Sequence, residues 1–419
     1  MNPLQEQGGS VGSRMRVAII SPTFPPNPCG GVSSSHYNLF LALRERGCTV
    51  RAFTFCDNNP SLFPDDPDVV RNGMSGPVQD FFFRLRMAYL KRRHFYKTGV
   101  QFRGAIRGAT VGKRLASPLA EFRPDVVLVP DHDAPGAELR MPDGAKVVFA
   151  SHHNAMRFTE LPFFDPYTTS DARLTVDMEQ RSVERSDAVV CPSEYMKDVF
   201  QQTYRFDGPV EVIPNLVDLA FLDGVETFDV RAAHGLPPEA PVVYIPSAGS
   251  AIKGERFVFE IVRSLARSVT GPIGFFLSGV LSKYHADDVR AVPANVRIIA
   301  PGTLPYAQNV AHMKACTLCV SPALLESFGM AQLEAAACGL PVVSFDTGGN
   351  REVVLTGQTG VLAPMLDVNA LVDAGGALLA DPEACRTMGA KARTHVMTAF
   401  SPDTLADRYL QLFERLRGG

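Results

Sequence analysis

Apolar positions along the chain fall into two rhythms. Short apolar runs bounded by Gly, Pro, Asp or Ser predict buried strands at Arg16–Ser21, Thr49–Phe55, Asp125–Pro130, Ala145–Ala150, Ala188–Pro192 and Val210–Ile213. Helical spacing fills several of the gaps, most clearly over Ser34–Arg46, which stops at Gly47. A second series repeats the alternation. Strands are predicted at Pro241–Ile245, Ile273–Leu277, Val296–Ala300, Thr317–Ser321 and Pro341–Phe345, with a helix over Gly254–Val269. Strands alternating with helices indicate a parallel sheet covered on both faces. Two such series predict an α/β protein of two doubly wound domains, 15–222 and 223–399, with the crossing near Val217–Gly235. A closing helix over Pro402–Leu416 carries Leu405, Tyr409, Leu412, Phe413 and Leu416 on one stripe. Sheets of this kind take ligands beyond the carboxyl ends of their strands, and a cleft between two domains is a common site.

Composition narrows the picture little. The 419 residues are enough for two cores, and 46% hydrophobic with 20% charged is an ordinary globular balance. A net charge of -3 argues against nucleic acid as a partner, which would select a basic surface. No apolar run reaches the roughly 18 residues of a membrane-spanning helix. Residues 1–14 are polar, lack a signal-peptide core and read as a disordered leader, so a cytoplasmic location is expected. The eight cysteines are scattered, which fits reduced thiols, and Cys316 and Cys319 run into the apolar stretch Leu318–Pro322 as buried ones.

The candidate chemistry concentrates in Ser321–Val354, SPALLESFGMAQLEAAACGLPVVSFDTGGNREVV. A strand ends at Ser321, a loop carries Glu326, Ser327, Phe328 and Gly329, and a helix runs to Ala337. A carboxylate offers two acceptor oxygens, which match the paired hydroxyls of a ribose, and Glu334 is placed to supply them. Unpaired N–H groups at the start of a helix, here Phe328–Met330, can face phosphate or sugar hydroxyls. Glu326, at the strand end, can hold a hexose or stabilise charge on its anomeric carbon. Either Glu alone reads more simply as a solvated carboxylate, but Leu333 and Ala335–Ala337 surround Glu334 with packed-helix neighbours.

The string Glu326-x7-Glu334 with Ser327-Phe328-Gly329 between, then Ala337-Cys338-Gly339-Leu340-Pro341-Val342-Val343 and Gly348-Gly349, strongly resembles the donor-site signature of GT4-type retaining glycosyltransferases. Pro25-Pro26…Gly30-Gly31-Val32, Ser186–Glu194, Ile213–Asp218 and Lys253-Gly254 resemble other stretches of that family in order. The resemblance implies a GT-B fold. The C-terminal half would bind the donor and the N-terminal half the acceptor, with the helix in 400–419 returning to the first domain. It implies transfer of a hexose or N-acetylhexosamine from a nucleoside diphosphate sugar, a UDP sugar being favoured, with retention and without metal or cofactor. Glu326, His153 and Lys253 would be catalytic. Gly30, Gly31, Ser247, Ser250, Lys253, Ser327, Phe328, Gly329, Met330 and Glu334 would bind donor, and His132, Asp133 and Asn154 the acceptor. His152 competes with His153. The family carries an Arg five residues before the phosphate Lys; here that place is Ala248, and Ser247, Ser250 or Arg256 would substitute. The rival readings are a catalytically silent nucleotide-sugar-binding partner and another GT-B enzyme such as a sugar-nucleotide epimerase.

Two features stand outside that signature. Asp131-His132-Asp133 and Asp66-Pro67-Asp68 fit a D-x-D metal pattern, which is frequent by chance. Phe81–Ala120 holds ten Arg or Lys and no acid, and Phe81–Arg93 mixes cations with aromatics. The stretch 81–114 is expected either to meet an anionic membrane surface, giving peripheral attachment at the inner face, or to recognise an anionic acceptor; a solvated basic face is the plain alternative.

Overall fold

A computed structural model describes residues 15–27, 30–57, 66–73, 77–94, 100–159, 169–282 and 285–418. The expected leader at 1–14 lies outside the described residues. The first sheet contains β1 (Arg16–Ser21), β2 (Thr49–Thr54), β3 (Val69–Val70), β4 (Val126–Pro130), β5 (Lys146–Ala150), β6 (Ala188–Cys191) and β7 (Val210–Val212), in the order β3-β2-β1-β4-β5-β6-β7. The second contains β8 (Val242–Ile245), β9 (Ile273–Leu277), β10 (Val296–Ile299), β11 (Leu318–Ser321), β12 (Val342–Phe345) and β13 (Gly360–Ala363), in the order β10-β9-β8-β11-β12-β13. The strand pairings in both sheets are parallel. Helices on both faces leave no solvent side, so central strands such as β4, VVLVP, are buried at every residue.

The differences from the expected elements are local. β3 and β13 have no run of their own long enough to announce a strand. They form at the sheet edges by pairing, Ala52 with Val69 and Val342 with Gly360. The helix expected from Gly254 begins at Val258 after two 3-10 turns. Gly254 has φ +82°, and a Cβ there would lie 2.0 Å from the Pro322 carbonyl oxygen, so the chain turns sharply against the neighbouring loop before it can coil.

Helix α1 (Gly31–Glu45) follows β1, while α2 (Pro77–His94) and α3 (Val100–Gly112) fill the β3–β4 connection. Gly104, Gly108 and Gly112 recur every fourth residue on α3 and form one smooth strip. A Cβ would come within 2.2 Å of an Asp133 carboxylate oxygen at Gly104, 1.9 Å of the Asp133 carbonyl oxygen at Gly108, and 2.1 Å of the Pro135 carbonyl oxygen at Gly112. The strip therefore lets α3 lie directly on the loop that leaves β4. The helix Pro402–Gly418 packs on the first sheet's layer. Leu405, Tyr409, Leu412 and Phe413 share one cluster with Leu39 and Leu43 of α1, Arg46 Nε lies 3.1 Å from Asp407, and Arg415 pairs with Glu211 of β7. Cys316 and Cys319 are buried free thiols, and burial pushes both far above the usual thiol range.

Candidate functional site

Most of the residues expected to bind donor come from loops at the carboxyl ends of β8 and β11. Lys253 closes the 3-10 turn Ala251–Lys253 after β8. Its Nζ lies 2.7 Å from Glu326 Oε1 and donates to the Leu325 carbonyl at 3.2 Å. Gln332 Nε2 donates to the same Glu326 oxygen at 3.2 Å and to Ser321 Oγ at 2.8 Å. Glu326 is thus held at the strand end by two donors. Gly329, φ +99°, starts the helix Met330–Ala337 in a conformation that a side chain would strain. Gly348 lets the chain after β12 approach so closely that a Cβ would sit 1.8 Å from the Glu326 carbonyl oxygen. Inside the helix, Glu334 is buried, and Oε1 accepts a 3.0 Å hydrogen bond from the Tyr306 hydroxyl. Burial raises this carboxyl to about 7, while the tyrosine bond pulls it back.

Ala248 is fully buried, with its N–H on the Ser278 carbonyl at 2.8 Å, so a methyl group fills the place where the family carries an arginine. Ser247 is exposed with φ +49°, and its carbonyl accepts from the Ser250 N–H at 2.9 Å. Arg256 lies over the Phe257 ring at 5.2 Å.

On the opposite side, the turn after β5 is organised by Asp131 from the end of β4. Its Oδ2 accepts the N–H of His153 at 2.8 Å and of Asn154 at 3.1 Å, and the Ser151 hydroxyl at 3.3 Å. These bonds give Asp131 a structural occupation independent of any metal pattern. His153 Nε2 lies 2.8 Å from Gln101 Oε1, so Nε2 carries the proton and Nδ1 is left as an acceptor. Burial, then His132 and Arg157, push His153 well below the usual imidazole range, which keeps it neutral. His132 stacks edge-on against His153 with ring centres 4.8 Å apart, and His36 of α1 meets His152 in the same way at 5.6 Å.

The two sides meet at Ser327. Its hydroxyl accepts from Arg157 Nη1 at 2.7 Å and donates to the His152 carbonyl, while its own carbonyl accepts from Ser193 Oγ at 2.7 Å. Arg157 Nη1 also donates to the His153 carbonyl at 3.1 Å, and its guanidinium lies over the Tyr195 ring at 5.3 Å. Arg157 is 2% exposed. A Cβ on Gly31 would touch Met330 Cγ at 3.8 Å, so the first turn of α1 faces the first turn of the helix Met330–Ala337. Buried polar atoms without a partner among the described residues gather here: both His36 ring nitrogens, Asp131 Oδ1, His132 Nδ1, Arg157 Nη2, Gln332 Oε1 and Asn350 Oδ1. Buried polar groups left without protein partners are open to hydrogen bonds from water or a ligand.

The structure brings Lys253, Glu326, Ser327, Gly329 and Met330 to one seam with His153 and Gly31. It spends others elsewhere. Asn154 is fully buried, φ +50°, with its side chain committed to Thr203 Oγ1 at 3.0 Å and the Met156 N–H at 3.0 Å. Asp133 turns its carboxylate to α3 and Cys56. The Phe328 ring is core, packed edge-on against Phe400 at 5.4 Å, which leaves only its backbone for a ligand. Arg157, Tyr306 and Gln332 were not anticipated. Arg157 and Tyr306 carry no local signal, because each acquires its place through a contact with another segment, whereas Gln332 bonds Glu326 and Ser321 only six and eleven residues away, inside the stretch already singled out.

Two family models match the chain in succession. That for Glycosyltransferase Family 4 covers residues 29–221, and that for Glycosyl transferases group 1 covers residues 228–395. A glycogen synthase of Mycobacterium tuberculosis is 26% identical over 423 residues, covering 97% of this chain and 96% of that protein. A D-inositol 3-phosphate glycosyltransferase of Mycolicibacterium paratuberculosis is 30% identical over 244 residues, 57% of this chain and 54% of that protein. Among solved structures, a sucrose-phosphate synthase from Thermosynechococcus elongatus superposes with TM-score 0.75 at 20% identity over 96% of this chain and 99% of that one. Anabaena HepE in complex with UDP-glucose superposes with TM-score 0.64 at 17% identity over 96% of this chain and 100% of that one. Two facing Rossmann-like halves, the seam of buried polar groups between them and two family models that together span most of the chain lead to one conclusion: the chain belongs to the family 4 glycosyltransferases and is a glycosyltransferase of GT-B fold.

Proposed function

We propose that the protein transfers a hexose or N-acetylhexosamine from a nucleoside diphosphate sugar, a UDP sugar, to an acceptor hydroxyl with retention at the anomeric carbon. The observation that carries this reading is the Lys253–Glu326 pair beside the start of the helix Met330–Ala337, with neutral His153 and buried Arg157 across the seam. Glu334 takes the ribose hydroxyls. Lys253 and the N–H groups at Gly329–Met330 take the diphosphate, which needs no metal for its charge. Glu326 faces the sugar, and His153 Nδ1 accepts from a sugar hydroxyl. In the reaction the acceptor oxygen bonds to the anomeric carbon as the bond from that carbon to the phosphate oxygen breaks. The acceptor proton passes to the departing phosphate oxygen on the same face. The chain's work is to neutralise the leaving diphosphate and to align the reactants.

The test is acceptor-dependent release of UDP in the presence of EDTA, with the product anomer read by NMR. Turnover is expected to persist in EDTA and the product to be the retained anomer. Glu326→Gln is expected to lower kcat by about 10²-fold or more while leaving UDP affinity nearly unchanged. An inverted product, strict metal dependence or full activity in Glu326→Gln would refute the assignment. Buried Ala248 favours a second reading, a nucleotide-sugar-binding partner without turnover. That reading stands if UDP-sugar raises the Tm and no acceptor elicits UDP release.

A further inference from the structure

Helix α2 carries a face that the donor and acceptor chemistry does not use. Phe81, Arg84, Leu85, Ala88, Tyr89 and Arg92 are all exposed, and their spacing of i, i+3, i+4, i+7, i+8 and i+11 places them on one side. The large apolar members are 61%, 57% and 60% exposed at Phe81, Leu85 and Tyr89. The opposite side holds the helix to the protein. Met87 packs among Phe102, Ala105, Ile106 and Ala109 of α3, and Arg86 donates to Thr110 Oγ1 and Glu138 Oε1, both at 2.8 Å. The exposed face is therefore neither core nor a frayed end. The side chains of Phe82, Leu90, Lys91 and Arg93, which the sequence also assigns to this stretch, lie outside the described residues.

We infer that this face of α2 docks on an anionic lipid surface. Aromatic and aliphatic groups interleaved with arginines suit the headgroup boundary, where rings and methyls enter the acyl edge and guanidinium groups reach back to lipid phosphates. The charge pattern selects the anionic case. No Asp or Glu occurs from Phe81 through Ala120, although the whole chain has 44 acidic against 41 basic residues. The orientation is also apt. α2 lies on α3, and Gln101 of α3 holds His153, so a membrane under α2 would be one helix layer from the acceptor side of the seam.

The experiment is co-sedimentation of the full chain with vesicles of phosphatidylglycerol and phosphatidylcholine in equal parts, over a salt series, with pure phosphatidylcholine vesicles alongside. The protein is expected to bind the mixed vesicles, to release them as salt rises, and to bind pure phosphatidylcholine at least roughly tenfold less. Phe81→Ser with Leu85→Ser and Tyr89→Ser is expected to reduce partition by about a thousandfold, since each lost side chain removes burial worth about a factor of ten. Arg84→Gln with Arg92→Gln is expected to weaken binding and flatten its salt dependence. An unchanged Tm in each variant shows that the fold persists. Absence of binding by the parent at low salt overturns the inference, and so does equal binding by the triple variant. A concentration-dependent dimer in sedimentation velocity that the triple variant abolishes would assign the face to a second copy of the chain instead.

Discussion

Glu334 is the residue at which burial and ligand chemistry oppose each other most directly. A carboxylate in a packed helix is driven toward its protonated form, and here the carboxyl is raised to about 7 with Tyr306 pulling it back. A ribose needs the ionised form, with both oxygens accepting. Binding must then release a proton whenever the free protein holds one. Below about 7 the affinity for a UDP sugar should fall by about tenfold per pH unit, and above it should level off. A UDP sugar is the right probe because its diphosphate diester does not titrate in this range. Tyr306→Phe removes the bond that lowers the pKa, so the plateau should move to higher pH. Glu334→Gln should bind weakly and flatly across pH. Calorimetry between pH 5.5 and 8.5 checks this, and a parent affinity independent of pH would rule out Glu334 as the ribose ligand. The same burial that sets this pKa was only hinted at by Leu333 and Ala335–Ala337, whereas the identity of the residue stood in the sequence itself.

At the scale of elements, the apolar runs were a good guide because a parallel strand covered on both faces must be apolar throughout. β1 and β9 have the expected bounds, and the other anticipated strands differ by a residue or two at their ends. β3 and β13 were illegible because edge pairing, not their own composition, makes them strands. The glycine strip of α3 is an element-scale device that the sequence displays without explaining. Its spacing is visible, but the loop it receives is 25 residues away, from Gly108 to Asp133. Gly108→Ala would add about 1 kcal/mol of helix propensity and set a methyl group 1.9 Å from a carbonyl oxygen. The clash should dominate, with a net loss of about 1–3 kcal/mol in chemical denaturation. Turnover should drop as well, because the displaced loop carries His132 against His153. A Gly108→Ala protein as stable as its parent would show that α3 stands off from the loop.

For the whole molecule, the decisive contact is Arg157 at the joint between halves. It is a buried cation, and among the described residues no carboxylate lies within ion-pair distance of it; its partners are the Ser327 and Tyr195 hydroxyls and the His153 carbonyl, and Nη2 has none. A buried charge without a counter-charge costs stability unless a ligand supplies one. Arg157→Met should therefore leave the Tm of the nucleotide-free protein unchanged or raise it, while weakening UDP-sugar binding by about 1–3 kcal/mol. Ser327→Ala, which keeps the cation, should weaken binding less. A lower Tm with unchanged donor affinity would make Arg157 a clasp and nothing more. Local sequence could not reveal this residue: Arg157 and Ser327 are 170 positions apart, and only the meeting of the two sheets' loops brings them together. The sequence by itself determined the two α/β series and the positions of their main strands along the chain, because periodicity and the burial of both sheet faces are local in the chain. It also determined which carboxylates, lysine and glycines were candidates for the donor site. Tertiary structure alone decided that Lys253 meets Glu326, that Glu334 is buried beside Tyr306, that Asn154 is committed to Thr203 and Asp133 to α3 and Cys56, and that the cation nearest Ser327 comes from the other half. Those outcomes depend on contacts between segments far apart in the chain, and such contacts leave no mark on the spacing of neighbouring residues.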